Sequence, residues 1–271
     1  QEEVMASSTR QSLAAAKEFI APVLAKADLK FAEELFSIGS AVASSSQLRG
    51  ILSDPSAEAN AKSGALKAVF GKSVSKAALE FADRLVALRW STGRDLVSAF
   101  EQLGVHAVAA IAAKGKSLDQ LEADLFAFQQ AVESDQELQL ALGDKHVGED
   151  AKATLVKALL KGKATPEVSL LISSAVAGAG RRRVAIVLDQ FGKQVSAYAE
   201  RLVATVTVAA PVSDKQLERL EAALAKSYGH SLKLNVEVDE SILGGMKVQV
   251  GGEILDGSLS ARLLQAKLQL A

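Results

Sequence analysis

No cysteine occurs in the 271 residues, which excludes disulfides, thiolate nucleophiles and cysteine-ligated metals. Aromatic side chains make up only 4% while alanine is everywhere, and small side chains at that density favour closely packed helices over a β-sandwich. No charge of one sign dominates: 31 basic residues face 32 acidic ones, a net −1, so no strong field steers the chain toward nucleic acid or anionic lipid. No apolar run approaches the roughly 20 residues that span a bilayer. The N-terminal residues are polar and lack the apolar core of a leader peptide. These absences predict a cytoplasmic chain with no direct membrane insertion.

What is present reads first as helix. A chain of this length with 49% apolar residues can bury one large core or two modest ones. Leu13, Ala16, Ile20 and Leu24 recur at helical spacing, and Pro22 should kink or end that first helix near Ala21. Asp28 is placed to cap a second helix running to about Ser46. Short helices follow, separated by "SDPS" (Ser53–Ser56), "FGKS" (Phe70–Ser73) and "STGRD" (Ser91–Asp95). A long helix then begins near Arg94 and carries Leu96, Phe100, Leu103 and Ala107 at steps of four and three.

The pattern then repeats. "QLRGILSDPSAEANAKSGALKAVF" (Gln47–Phe70) lies over "ELQLALGDKHVGEDAKATLVKALL" (Glu137–Leu160), about 90 positions on, with Leu48 on Leu138, Leu52 on Leu142, Asp54 on Asp144 and Lys62 on Lys152. "GRDLVSAFEQLG" (Gly93–Gly104) overlies "RRRVAIVLDQFG" (Arg181–Gly192) after a slip of about two residues. Five helical segments repeat, and nothing in the second copy matches the first helix. Two copies of so long a period do not make a solenoid. The second long helix has Val184, Leu188, Phe191, Val195, Tyr198 and Leu202 in steps of four and three. With fewer than four heptads it reads as a bundle helix, not a coiled coil.

After Ala204 the apolar period changes to two. "ATVTVAA" reads as a strand ended by Pro211, and "SDKQ" (Ser213–Gln216) as a capping box opening a helix with Leu217, Leu220 and Leu224. "LKLNVEV" alternates with Leu232, Leu234, Val236 and Val238 on one face. "MKVQV" repeats the alternation, Gly251-Gly252 suits a two-residue turn into "EILD", and Ser258 is placed to cap a last helix from Leu259 to about Leu270. The expected fold is mainly α: an N-terminal helical bundle, a duplicated helical segment and a small C-terminal α/β domain.

No catalytic constellation emerges. Gly244 and Gly245 precede a strand, whereas a phosphate loop leaves a strand and enters a helix, so they read as turn residues with positive φ. Asp239, Glu240 and Asp256 are too irregularly spaced for a calcium loop, and Asp256 reads as support for the turn before the last helix. His106, His146 and His230 are scattered, without a second histidine at ligand spacing. There is no G-x-S-x-G elbow. Arg181, Arg182 and Arg183 form the one dense basic run and read as a solvated helix start. Neither a metal nor a cofactor is expected.

"VDESILGGMKVQVGGEILDGSLSARLLQAKLQL" (Val238–Leu270) resembles the C-terminal signature of the delta subunit of bacterial rotary ATP synthases, whose mitochondrial relative is the oligomycin-sensitivity-conferring protein. Asp239, Leu243, Gly244, Gly245, Val250, Gly251, Asp256, Gly257, Ser258, Arg262 and Leu263 fall on that pattern. Upstream, "SQLRGILSDP", "ALKAVFG" and "STGRDLVSAFEQL" are similar to the family's helical domain, in the same order. The departure is the second helical copy, which resembles the duplicated segment of actinobacterial delta proteins.

The resemblance implies a non-catalytic stator subunit of a proton-driven rotary ATP synthase, peripheral to the cytoplasmic face of the cell membrane. It implies one copy in a large hetero-oligomer, joining the N-terminal helices of alpha subunits in the catalytic head to the C-terminal end of the stalk b subunit. Carried onto this sequence, the groove for alpha falls on the first and fifth helices, with Leu13, Lys17, Ile20, Phe81, Leu85 and Leu88. The b contact falls on Leu259, Arg262, Leu263 and Leu270, and the structural turn on Gly244, Gly245, Asp256, Gly257 and Ser258. The domains implied are 1–114 for alpha, 115–203 for the duplicated segment and 204–271 for b. A nucleic-acid-binding helical protein with a small α/β domain remains the alternative, with balanced charge and scarce aromatics against it.

Overall fold

The structure is a computed structural model that describes residues 7–144, 147–179, 182–200, 203–210, 212–228, 232–239, 245–250 and 253–256. It divides into two compact units, Gln1–Val195 and Ser196–Ala271.

The first unit opens with α1 (Ser7–Leu24), whose stripe Leu13, Ala16, Ile20 and Leu24 is buried. Pro22 does not end the helix near Ala21. It lies in the last turn, where it removes only one backbone bond, and the helix continues to Leu24. Asp28 caps α2 (Leu29–Ser44), accepting from the Phe31 N–H at 3.0 Å. That helix stops short of Ser46 because Ser45 turns away to cap α3 (Ser46–Ser53), accepting from Leu48 N–H at 3.2 Å. Next come α4 (Ala59–Phe70) and α5 (Lys76–Ala87), the latter capped by Ser75. α5 ends at Ala87, and the buried Trp90 indole donates to the Leu85 carbonyl at 2.9 Å, which also accepts from the Leu88 N–H at 3.2 Å.

Thr92 and Asp95 form a reciprocal capping box at the start of α6 (Gly93–Lys114). This helix corrects the expectation about apolar runs. Its 22 residues are long and apolar enough to cross a membrane by length and composition, with mean hydropathy 1.5 over a window that is 61% buried. Leu96, Ala99, Phe100, Leu103, Ala107 and Val108 instead face a protein core. Close approach of α2 to α6 depends on two glycines: a Cβ on Gly39 would lie 2.9 Å from Phe100 Cβ, and one on Gly104 would lie 2.8 Å from the Phe36 ring.

The repeat read in the sequence is present element by element. α7 (Leu118–Ser134), α8 (Gln136–Gly143), α9 (Glu149–Leu160), α10 (Pro166–Gly178) and α11 (Val184–Glu200) follow the order of α2 to α6, and the first four match their counterparts in length to within one residue. Caps recur too: Asp135 stands for Ser45, and Thr165 for Ser75, each accepting from the corresponding N–H. Leu96, Ala99, Phe100 and Leu103 are buried in α6, as Val184, Val187, Leu188 and Phe191 are in α11. The second long helix was expected to include Leu202, which lies outside the described residues.

Both copies share one unit. α10 packs on α2 and α6 as well as on its own neighbours α7 and α9. The Phe36 ring meets Phe191 at 6.0 Å, and Arg182 bonds Glu101 at 2.7 Å. The second copy has no α1. Instead α2 and the Glu101 region of α6 cover α10 and α11, as α1 covers α5 and α6.

The second unit is a four-stranded mixed sheet, order β2-β1-β3-β4, from β1 (Val203–Val208), β2 (Lys233–Val238), β3 (Met246–Val250) and β4 (Glu253–Asp256). β1 and β2 run parallel and are joined through α12 (Asp214–Tyr228), as parallel neighbours require. Gln216 accepts from the Ser213 N–H at 3.0 Å, half of the expected capping box. Ala204, Val206, Val208, Leu224, Leu232, Val248 and Val250 form the core. Val250 pairs with Glu253, leaving two residues between β3 and β4 as the turn reading requires. Leu234 and Val236 pack against the core, but Val238, expected on the same face, is 52% exposed where β2 ends.

Candidate partner-binding surface

The two helices singled out for alpha binding, α1 and α5, are neighbours. Hydroxyls hold α1 onto the turn after α5: Ser12 donates to the Arg89 carbonyl at 2.6 Å, and Thr9 donates to Ser91 Oγ at 3.0 Å and to Asp95 at 3.1 Å. Further along, the Phe19 ring rests on Phe81 at 5.2 Å, and the Arg84 guanidinium lies 4.2 Å above Phe19. Phe81 in turn meets Phe31 of α2 edge-on at 5.8 Å. An aromatic stack capped by a cation thus closes the seam between the helices.

Most of the predicted residues lie beneath that seam. Leu13, Ile20, Phe81 and Leu85 are buried in the bundle, so a surface partner meets them only if the helices move. Lys17 and Leu88 are half-buried at the rim, Leu88 as the C-cap of α5. Sequence reading missed Phe19 and Arg84. The available signal was that Phe19 is a large aromatic off the buried stripe of α1, one residue before Ile20.

Two buried charges stiffen the frame behind the seam. Glu34 of α2 accepts from the Ser75 N–H at 2.9 Å and the Ser75 hydroxyl at 2.5 Å, placing a carboxylate at the positive end of α5. Lys62 of α4 is 5% exposed and donates to the Val86 carbonyl near the other end of α5 at 3.2 Å. Burial pushes its pKa down from the usual lysine value, and Asp54 opposes that shift.

In the second unit Gly245 has φ of +86°, the left-handed conformation expected of that glycine pair. Asp256 is the last residue of β4, opposite Lys247. Gly244, Gly257, Ser258, Leu259, Arg262, Leu263 and Leu270, and with them the expected last helix, lie outside the described residues. Among the described residues no three His, Asp or Glu side chains gather as a metal site.

The family model for "ATP synthase delta (OSCP) subunit" matches residues 105–270. The chain is 43% identical to an "ATP synthase subunit delta" of Leifsonia xyli over 98% of its own length and all of that protein, and 37% identical to one from Streptomyces griseus over the same shares. The chain belongs to the ATP synthase delta (OSCP) family. It is a structural subunit of the peripheral stalk, not a catalyst, and its membrane association is through the complex. A chain in the Toxoplasma gondii mitochondrial ATP synthase hexamer matches 63% of this chain and 96% of its own length at 17% identity, with a TM-score of 0.33. The family match begins at residue 105, within α6, and so spans the second helical copy and the terminal unit. Relatives such as the one from Leifsonia xyli extend across the first copy as well.

Proposed function

We propose that this chain fixes the catalytic head to the membrane-anchored b subunit on the cytoplasmic face, as one copy per complex. An alpha N-terminal helix lies along the α1–α5 seam, and the terminal unit, residues 204–271, holds the end of b. The observation that carries this is the seam itself, where Phe19 stays half-exposed under the Arg84 cation and Leu88, the C-cap of α5, is half-exposed as well. The equivalent faces of α10 and α11 are covered by α2 and α6, which supports the first copy as the receptor and the second as a spacer or stalk contact. The family match starting at residue 105 favours a second reading, with alpha on the second copy. Family membership takes the place of the nucleic-acid alternative.

Titrating an alpha N-terminal peptide into the full chain separates the two. Phe19→Glu and Leu88→Glu place charge at the half-exposed rim, and each should weaken binding about tenfold or more if the seam is the receptor. Unchanged affinity in both folded variants rejects the seam and leaves the second copy. For b, truncation after Ser258 should release b and leave the alpha peptide bound. Retention of b with normal affinity places its contact elsewhere.

A further inference from the structure

The first helical copy binds the second through a defined set of groups. Phe36 of α2 lies against the bare backbone of Gly104 and meets Phe191, while Glu101 holds Arg182. The second copy carries the same set at the same positions: Phe126 for Phe36, Gly192 for Gly104 and Asp189 for Glu101. There it is unengaged. Phe126 is 62% exposed, the space over Gly192 is open, and Asp189 is half-exposed, paired among the described residues with Lys193 in an i,i+4 contact. An exposed i,i+4 pair of that kind is weak and easily exchanged.

We propose that this face of α7 and α11 receives an amphipathic helix of a partner chain, bearing a large apolar residue for Phe126 and Lys or Arg on its flanks. The cationic flanks follow from charge. From Leu118 to Asp144 the chain has seven carboxylates and no Lys or Arg, and Asp119, Glu122 and Glu133 share the α7 face with Phe126. A second copy of this chain fits poorly, because its own α10 and α11 surface is already covered by α2 and α6. The inference rests on membership of the stator family and holds for any alpha site that lies away from this face.

The test uses the full chain in the assembled synthase. Phe126→benzoylphenylalanine, irradiated in the complex, should cross-link to one partner segment with apolar residues three and four apart and at least two Lys or Arg. Phe126→Glu should keep the helical circular dichroism and alpha-peptide affinity of the parent, yet lower retention of the cross-linked partner about tenfold. The absence of a cross-link overturns the proposal, as does a cross-link to a second copy of this chain or to an acidic or non-helical segment. Unchanged retention in Phe126→Glu also overturns it. Failure of the alpha titration alone leaves it standing.

Discussion

Lys62 has its ammonium in the bundle because the carbonyl end of α5 gives it an acceptor in Val86. Its folded pKa lies below the unfolded value of about 10.5, so the unfolded chain binds more protons between the two. The penalty on the charged form is complete below the folded pKa and disappears as pH rises toward the unfolded value. Stability should therefore rise across that alkaline window, and Lys62→Met should lack the rise. Urea unfolding of both proteins from about pH 8 to about pH 10.5 checks it. A constant difference between them would mean that Lys62 titrates normally. Sequence could place Lys62 on a duplicated position but could not reveal its burial, because lysine usually reaches solvent even from a half-buried helix. Glu34 was hidden for the same reason: its partner, Ser75, is 41 residues away.

At the scale of helices, much was legible because the signals were local. Asp28, Ser213 and the segment around Thr92 announced helix starts, and those helices begin where the caps stand. Ends were less legible, since Pro22 and Trp90 act through geometry that depends on neighbouring chain. The groove residues were legible only in part for a related reason: helical period identifies an apolar stripe, but not whether it meets the bundle or a partner. Contact between α2 and α6 was also illegible, because nothing local marks a glycine chosen for another helix's approach. Gly39→Ala should lower stability by about 1–3 kcal/mol, although alanine is the better helix former by about 1 kcal/mol. Gly50→Ala, where a Cβ meets nothing within 4 Å, should be neutral or stabilising. Thermal unfolding of the two variants provides the comparison, and equal shifts would mean the α2–α6 contact yields without strain.

For the whole molecule, duplication was visible as a 90-residue offset, but the way the copies pack was not. Periodicity marks which residues are apolar, while Phe36, Phe126 and Phe191 read alike in one dimension and differ only in what covers them. The terminal unit was legible strand by strand, since an alternation of two leaves little freedom in which face is buried. Its sheet order, with β1 between β2 and β3, could not be read from the strands alone.

Because each copy offers one face to its predecessor and a different face to its successor, the contact between them is head-to-tail and has no symmetry that closes it. Within this chain α1 occupies the leading face, so growth stops there. A chain lacking residues 1–25 would present that face bare, matching the open surface around Phe126 on another molecule. Such chains should assemble end to end into linear filaments, with sedimentation that rises with concentration, and Phe126→Glu in the same truncated chain should return them to monomers. A truncated chain that sediments as a monomer at every concentration would show that the two faces do not match. On this view the first helix is a chain terminator for a polymer that the repeat would otherwise build.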